Sequence, residues 1–337
     1  MTRQTTGVIR LPSHGGPWAA YGDAIYGSFR GNVAVSLDGW ANVKRFTDIG
    51  ATIGCMYVTD AGTLIVGTSE GEGRVYRITK DGAITIPLVH KQGCYSREWS
   101  INGYGNKVVV GAYGLKNAVN PEDNAREVYL SVDDGQTFHL IYQVPALSST
   151  HVHAVAIDAY TDDVWVANGD GSTSRGLRKL AYPTWEPELV GKYQPTAIIA
   201  RHQRYVLFGT DNGPPQEGVL RYDKETGTLE QVFIFPDQYE LPVYSAHYDM
   251  GTKTAYFGTA QTLAIVGSEW KAASLWMSKP PYDTWELVEA ASGNTYAVYR
   301  SIAGTVKSKL IFARDEGSLG LPDVIARGLF LSVPYRS

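Results

Sequence analysis

The sequence predicts an all-β fold, a propeller of four-stranded antiparallel blades, and three observations lead there. The chain of 337 residues holds 36 Gly and 22 Tyr, a composition of turns and strands. No window carries an amphipathic helical period. A strand–turn–strand segment recurs at a spacing of roughly 40 to 55 residues, the size of one propeller blade.

The recurring hairpin is clearest in "VYLSVDDGQTFHLIY" (128–142), where Asp-Asp-Gly joins two alternating runs. Gly135 tolerates the positive φ that such a turn needs, and Asp133 can hydrogen-bond its own turn. Further copies are "VAVSLDGWANVKRF" (33–46), "VYRITKDGAITIPLV" (75–89) and "LRKLAYPTWEPELV" (177–190). The series continues with "VLRYDKETGTLEQVF" (219–233), "LWMSKPPYDTWELVE" (275–289) and a truncated "LFLSVPY" (329–335). An apolar strand ending in small residues precedes each copy, as in "TLIVGTS" (63–69), "KVVVGAY" (107–113) and "YVLFGTD" (205–211). Upstream of that lies one more apolar strand, clearest in "HVHAVAID" (151–158) and "VYSAHYD" (243–249).

Each unit therefore reads as strands a, b, c and d. Seven units fit a single domain spanning 1–337, with approximate bounds 13–51, 52–92, 93–149, 150–193, 194–240, 241–293 and 294–337. Six blades is the alternative, should the first or last unit be irregular. The last unit lacks a fourth strand, and "TGVIRLP" (6–12) is free to supply it, so the N-terminal strand is expected to close the last blade.

Composition narrows the function. Apolar residues make up 44% and charged residues 19%, enough for a large core. The net charge of −4 and the lack of a Lys/Arg run argue against nucleic acid as a partner. No stretch reaches the roughly twenty apolar residues of a membrane span. Cys55 and Cys94 lie in separate apolar segments and read as buried free thiols rather than a disulfide framework. The start "MTRQTTGVIRLPSHGG" has no apolar core of a signal peptide, which points to cytoplasmic synthesis.

Within the opening hairpin, Ser131, Asp133, Gly135, Thr137 and Phe138 resemble the Asp-box, Ser-x-Asp-x-Gly-x-Thr-Trp/Phe, of sialidase-like BNR-repeat propellers. Partial copies are "SLDGW" at 36–40, Thr184-Trp185 and Thr284-Trp285. The resemblance implies a propeller with the box on the outer c–d hairpin, where it is structural. "VIRLP" (8–12) is similar to the Arg-Ile-Pro-type start of sialidases, with Arg10 in the arginine's place. No other arginine sits in a motif of that family, so its arginine triad is not carried over.

In a propeller, strand a begins and strand b ends on the same face, around the central funnel. The a-strand starts contribute Arg97, Glu98, His151, His153, Thr196, Tyr244 and Tyr296. The b-strand ends contribute Arg30, Glu70, Tyr113, Asn168, Asp170, Asp211, Arg314 and Asp315, and Trp18 and His14 lie in the loop leading into the first unit. Carboxylates, arginines and aromatic platforms suit sugar hydroxyls and the carboxylates of acidic sugars. The set expected to bind is Trp18, Arg30, Arg97, His151, His153, Asp170, Asp211, Tyr244 and Arg314.

Catalysis, if present, would draw on His153, Arg97, Tyr244, Asp170 and Asp211. Asp170 and Asp211 either cap turns or form a general acid/base pair across the funnel. In a lyase, Tyr244 or a histidine would be the base and Arg97 would neutralise a uronate. His151 and His153 share a strand face and could ligate a metal; the competing reading has them lining a wet channel. No cofactor motif is present: there is no P-loop, dinucleotide fingerprint, zinc pattern or nucleophile elbow. Two function classes remain. One is a module that binds a glycan or protein surface as part of a larger assembly, such as a virion or phage tail. The other is a glycan-cleaving hydrolase or lyase with its site in the funnel.

Overall fold

The computed structural model describes residues 5–11, 17–29, 32–37, 42–69, 73–90, 98–113, 125–145, 151–169, 175–212, 217–260, 271–290, 296–301, 303–306, 310–317 and 325–331. For 5–11, 17–18, 29, 98, 296–301, 303–306, 310–317 and 325–331 it gives the backbone alone. The described residues form 29 β-strands, two short 3-10 turns at Glu98–Ser100 and Asp237–Tyr239, and no α-helix.

The strands run in chain order from β1 (Thr5–Leu11). A five-stranded sheet contains β2 (Pro17–Gly22), β3 (Ala24–Phe29), β4 (Asn32–Ser36) and β5 (Lys44–Thr47). Four-stranded sheets follow: β6 (Ile53–Val58), β7 (Leu64–Thr68), β8 (Gly73–Ile78), β9 (Ile84–His90); then β10 (Ile101–Tyr104), β11 (Lys107–Gly111), β12 (Glu127–Ser131), β13 (His139–Gln143). The next are β14 (His151–Ile157), β15 (Val164–Gly169), β16 (Gly176–Ala181), β17 (Glu186–Gly191), and β18 (Pro195–Ile199), β19 (Tyr205–Thr210), β20 (Gly218–Asp223), β21 (Thr228–Ile234). After them come β22 (Val243–Asp249), β23 (Thr254–Thr259), β24 (Ser274–Ser278) and β25 (Glu286–Ala290). The last strands are β26 (Tyr296–Ser301), β27 (Ala303–Val306), β28 (Leu310–Gly317) and β29 (Ile325–Leu331).

Six sheets are four-stranded antiparallel blades of a propeller, in agreement with the six-bladed alternative. The expectation of a seventh equal blade fails at the first unit. There the free edge of β2 is taken by β27 in parallel, which makes a five-stranded mixed sheet. The N-terminal strand does what its sequence suggested: β1 pairs antiparallel with β29, in the order β1-β29-β28-β26.

Two compact units divide the chain. One comprises residues 1–48, 208–221 and 230–337, and the other 49–207 and 222–229. In the second unit, β6, β7, β14 and β15 are buried along their whole length, because each blade packs both faces against neighbours. The outer strands β9, β13 and β17 keep exposed positions. One core cluster lies between two blades: Val109, Val128 and Leu130 meet Val152, Val155, Ile157, Val164, Val166 and Leu180. A Cβ on Gly111 would come within 2.6 Å of Val152 Cγ1 and 2.9 Å of Val155 Cγ1, so the small residue at the end of strand b lets the next blade approach. Gly209 lies as closely under Val243 in the first unit. Cys55 is a buried free thiol, and Cys94 lies outside the described residues.

Candidate functional site

The inner strands share a local irregularity. In the β14–β15 ladder Val152 pairs with Asn168 and Ala154 with Ala167, so His153 is an extra residue, a β-bulge. The same shift leaves Trp18 extra on β2, Gly54 extra on β6 and Tyr244 extra on β22. A bulge interrupts the ladder near the start of the strand and re-aims the side chain it carries. Three of the four bulge residues, Trp18, His153 and Tyr244, are among those singled out from sequence.

In the second unit the bulge belongs to a cluster of rings. His151 and His153 are 4% and 3% exposed, with ring centroids 5.0 Å apart and planes 17° from parallel. Tyr113 lies 4.0 Å from His151 and 6.2 Å from His153, and Trp99 meets the Tyr113 ring edge-on at 6.4 Å. Trp99 and Tyr113 are half-buried, so they form the accessible side of the cluster and the imidazoles its floor. A Cβ on Gly169 would come within 2.5 Å of the His153 ring, which is why strand β15 ends in a residue without a side chain.

Beside the rings, fully buried Asn168 accepts a hydrogen bond from Arg178 through Oδ1. Arg178 also bonds Tyr142 of the preceding blade. Burial pushes the Tyr142 phenol above its ordinary range, and Arg178 opposes that shift. Gln194 and Thr196 add two buried polar residues at the start of β18. Among the described residues no group of three or more His, Cys, Asp or Glu side chains is placed to hold a metal ion.

The remaining sequence-derived residues fall elsewhere. Arg30, Arg97 and Asp170 lie outside the described residues, as do His14 and Glu70. Trp18 and Arg314 are placed by backbone alone; Arg314 pairs with Tyr299 and Arg327 in its sheet. Half-buried Tyr244 sits on the β22 bulge, next to buried Ser245. Half-buried Asp211 follows β19, but the turn there is organised by a carboxylate that sequence reasoning missed. Glu217 is fully buried, and its Oε2 accepts from Thr210 Oγ1 at 3.0 Å and from the Asn212 amide at 3.2 Å. Trp99 was also missed, although its place directly before strand a in "CYSREWS" was the available signal.

No known protein family matches the sequence, and no curated protein matches it. Solved structures do. The chain is similar to a chain of the mitotic checkpoint complex at 10% identity and a TM-score of 0.64, over 99% of this chain and 93% of that one. It is similar to the oligogalacturonate lyase of Vibrio parahaemolyticus at 10% identity and 0.61, over 97% and 91%. The GH74 enzyme of Niastella koreensis matches at 11% identity and 0.60, over 96% of this chain and 61% of that one. At these identities the likeness shows the propeller fold alone.

Proposed function

We propose that the chain is a glycan-binding propeller module that receives sugar at the loop end of the inner strands of its second unit. One observation carries this reading: in the second unit the bulge of β14 falls on His153, whose ring stacks with those of His151 and Tyr113. Flat rings with hydrogen-bonding edges match the apolar faces and hydroxyl rims of sugars. Trp99 and Tyr113 are the platform, and His151, His153 and Asn168 supply donors and acceptors behind it.

The reading is tested on a glycan array, with affinities then measured by titration calorimetry and product masses checked after incubation. Tyr113→Ala and His153→Ala are expected to weaken binding about tenfold each, near 1.4 kcal/mol, while the circular dichroism spectrum stays that of the native chain. A panel with no binder overturns the proposal. Cleaved products that vanish in His153→Ala replace it with the hydrolase or lyase alternative.

A further inference from the structure

The opposite end of the second unit, where strands a and b and strands c and d are joined by tight turns, presents tyrosines to solvent. Tyr104 is 40% exposed, and Tyr160 and Tyr182 are 52% exposed each. Every one of these rings already carries a cation of the chain. Arg201 Cζ lies 5.0 Å from the Tyr104 centroid, Lys224 Nζ 5.2 Å from Tyr160 and Lys107 Nζ 5.8 Å from Tyr182. Neighbouring Arg204 repeats the arrangement on Tyr205 at 5.2 Å.

These contacts form one continuous surface. Lys107 reaches Asp162 at 2.5 Å as well as Tyr182, and Asp162 shares a turn with Tyr160. Lys224 binds buried Asp158 of that turn at 2.9 Å and the His202 carbonyl at 2.9 Å. Arg201, next to His202, returns to Tyr104, which pairs with Lys107 across the β10–β11 ladder.

Charge gives the surface a sign. The turns joining β6 to β7, β8 to β9 and onward to β20 and β21 hold eight carboxylates, of which Asp134, Asp158, Asp162 and Glu225 are ion-paired with Arg77, Lys224, Lys107 and Arg204. Of the carboxylates, Asp133 and Asp163 are held by hydroxyl donors, Thr137 at 2.6 Å and Thr161 at 2.9 Å, which fix them without cancelling their charge.

We infer that this turn end docks a lysine- or arginine-bearing segment of a partner protein. Its cations would lie against the exposed tyrosine rings and its charge would complement the turn carboxylates. Tyrosine and arginine are also the residues that most often anchor protein interfaces.

The test uses the full chain and a fluorescent oligolysine peptide, followed by anisotropy at low and then physiological ionic strength. Binding is expected at low ionic strength and is expected to weaken with salt. The double variant Tyr160→Leu/Tyr182→Leu should bind about tenfold more weakly, whereas Tyr160→Phe/Tyr182→Phe should bind like the parent, since phenylalanine keeps the ring face. Amide exchange should slow at 158–163 and 181–185 when the peptide binds. Glycan binding by the leucine variant should be unchanged, which separates this surface from the site at the other end. Absence of oligolysine binding, parental affinity in the leucine variant, or preference for oligoglutamate or anionic vesicles overturns the inference.

Discussion

Adjacent residues in one turn hold different parts of the molecule together. Asp133 closes its own hairpin, accepting from Ser131 Oγ at 2.8 Å, Thr137 Oγ1 at 2.6 Å and the Thr137 amide at 3.0 Å. Asp134, at a left-handed φ of 61°, turns the other way. It accepts from Thr59 and Thr63 of the preceding blade at 2.5 and 2.6 Å and pairs with Arg77 at 3.0 Å, both partners being mostly buried. Its carbonyl accepts a second bond from the same guanidinium at 2.8 Å. Asp134→Asn keeps a residue that tolerates left-handed backbone but removes the charge. It is expected to cost about 2 kcal/mol of unfolding free energy in urea, against about 1 kcal/mol or less for Asp133→Asn. Equal losses would show that the tie between blades adds nothing to the turn itself. The sequence made the hairpin legible through Asp-Asp-Gly, but Arg77 is 57 residues away, and no local pattern names a partner at that distance.

At the scale of the element, the small residue ending strand b is a spacing device. Gly111 is flanked by Val152 and Val155 of the next blade, and the same position in β19 is Gly209 under Val243. Gly111→Ala has to push β14 away or force its valines off rotamer. A loss of about 1 to 3 kcal/mol is expected, read from the urea midpoint. Gly82 has open space around its Cβ position, so a substitution there would lack that packing penalty and be strained instead by its left-handed φ of 86°. This device was legible as a recurring motif, although its cause, the approach of the next blade, was not. The bulges were illegible altogether: His151 and His153 read as a same-face pair, yet the ladder slips by one residue at His153. Register slips are set by the partner strand, and a single strand's alternation does not report them.

At the scale of the whole molecule, three depressed carboxylates couple the fold to acidity in the same direction. Glu127 is raised by burial, but hydrogen bonds from His90, at 2.8 Å, and from the Arg126 amide outweigh this and hold it below its ordinary range. Asp223 is held low chiefly by Arg204, and Asp133 by its turn donors against a burial effect. A depressed carboxylate stabilises the folded chain above its ordinary value, 4.5 for Glu and 3.8 for Asp, and loses that contribution as pH falls through the lower folded value. Unfolding free energy should therefore be flat just above these values and decline below them. Glu127→Gln should make the decline shallower; an unchanged profile would assign it to other carboxylates.

The repeat made strand order and blade size legible along most of the chain, because each blade restates them. The first unit broke the pattern because β27 comes from residues 303–306, far from the strands it joins, and adds a parallel edge that no repeat announces. The ladder between β1 and β29 has a related consequence for how the protein is made. Thr5 faces Leu331, so β1 is synthesised long before the strand it pairs with and has to wait for it. Until then β1 is an unpaired edge, open to the wrong neighbour, and this sheet is complete only when translation has passed residue 331.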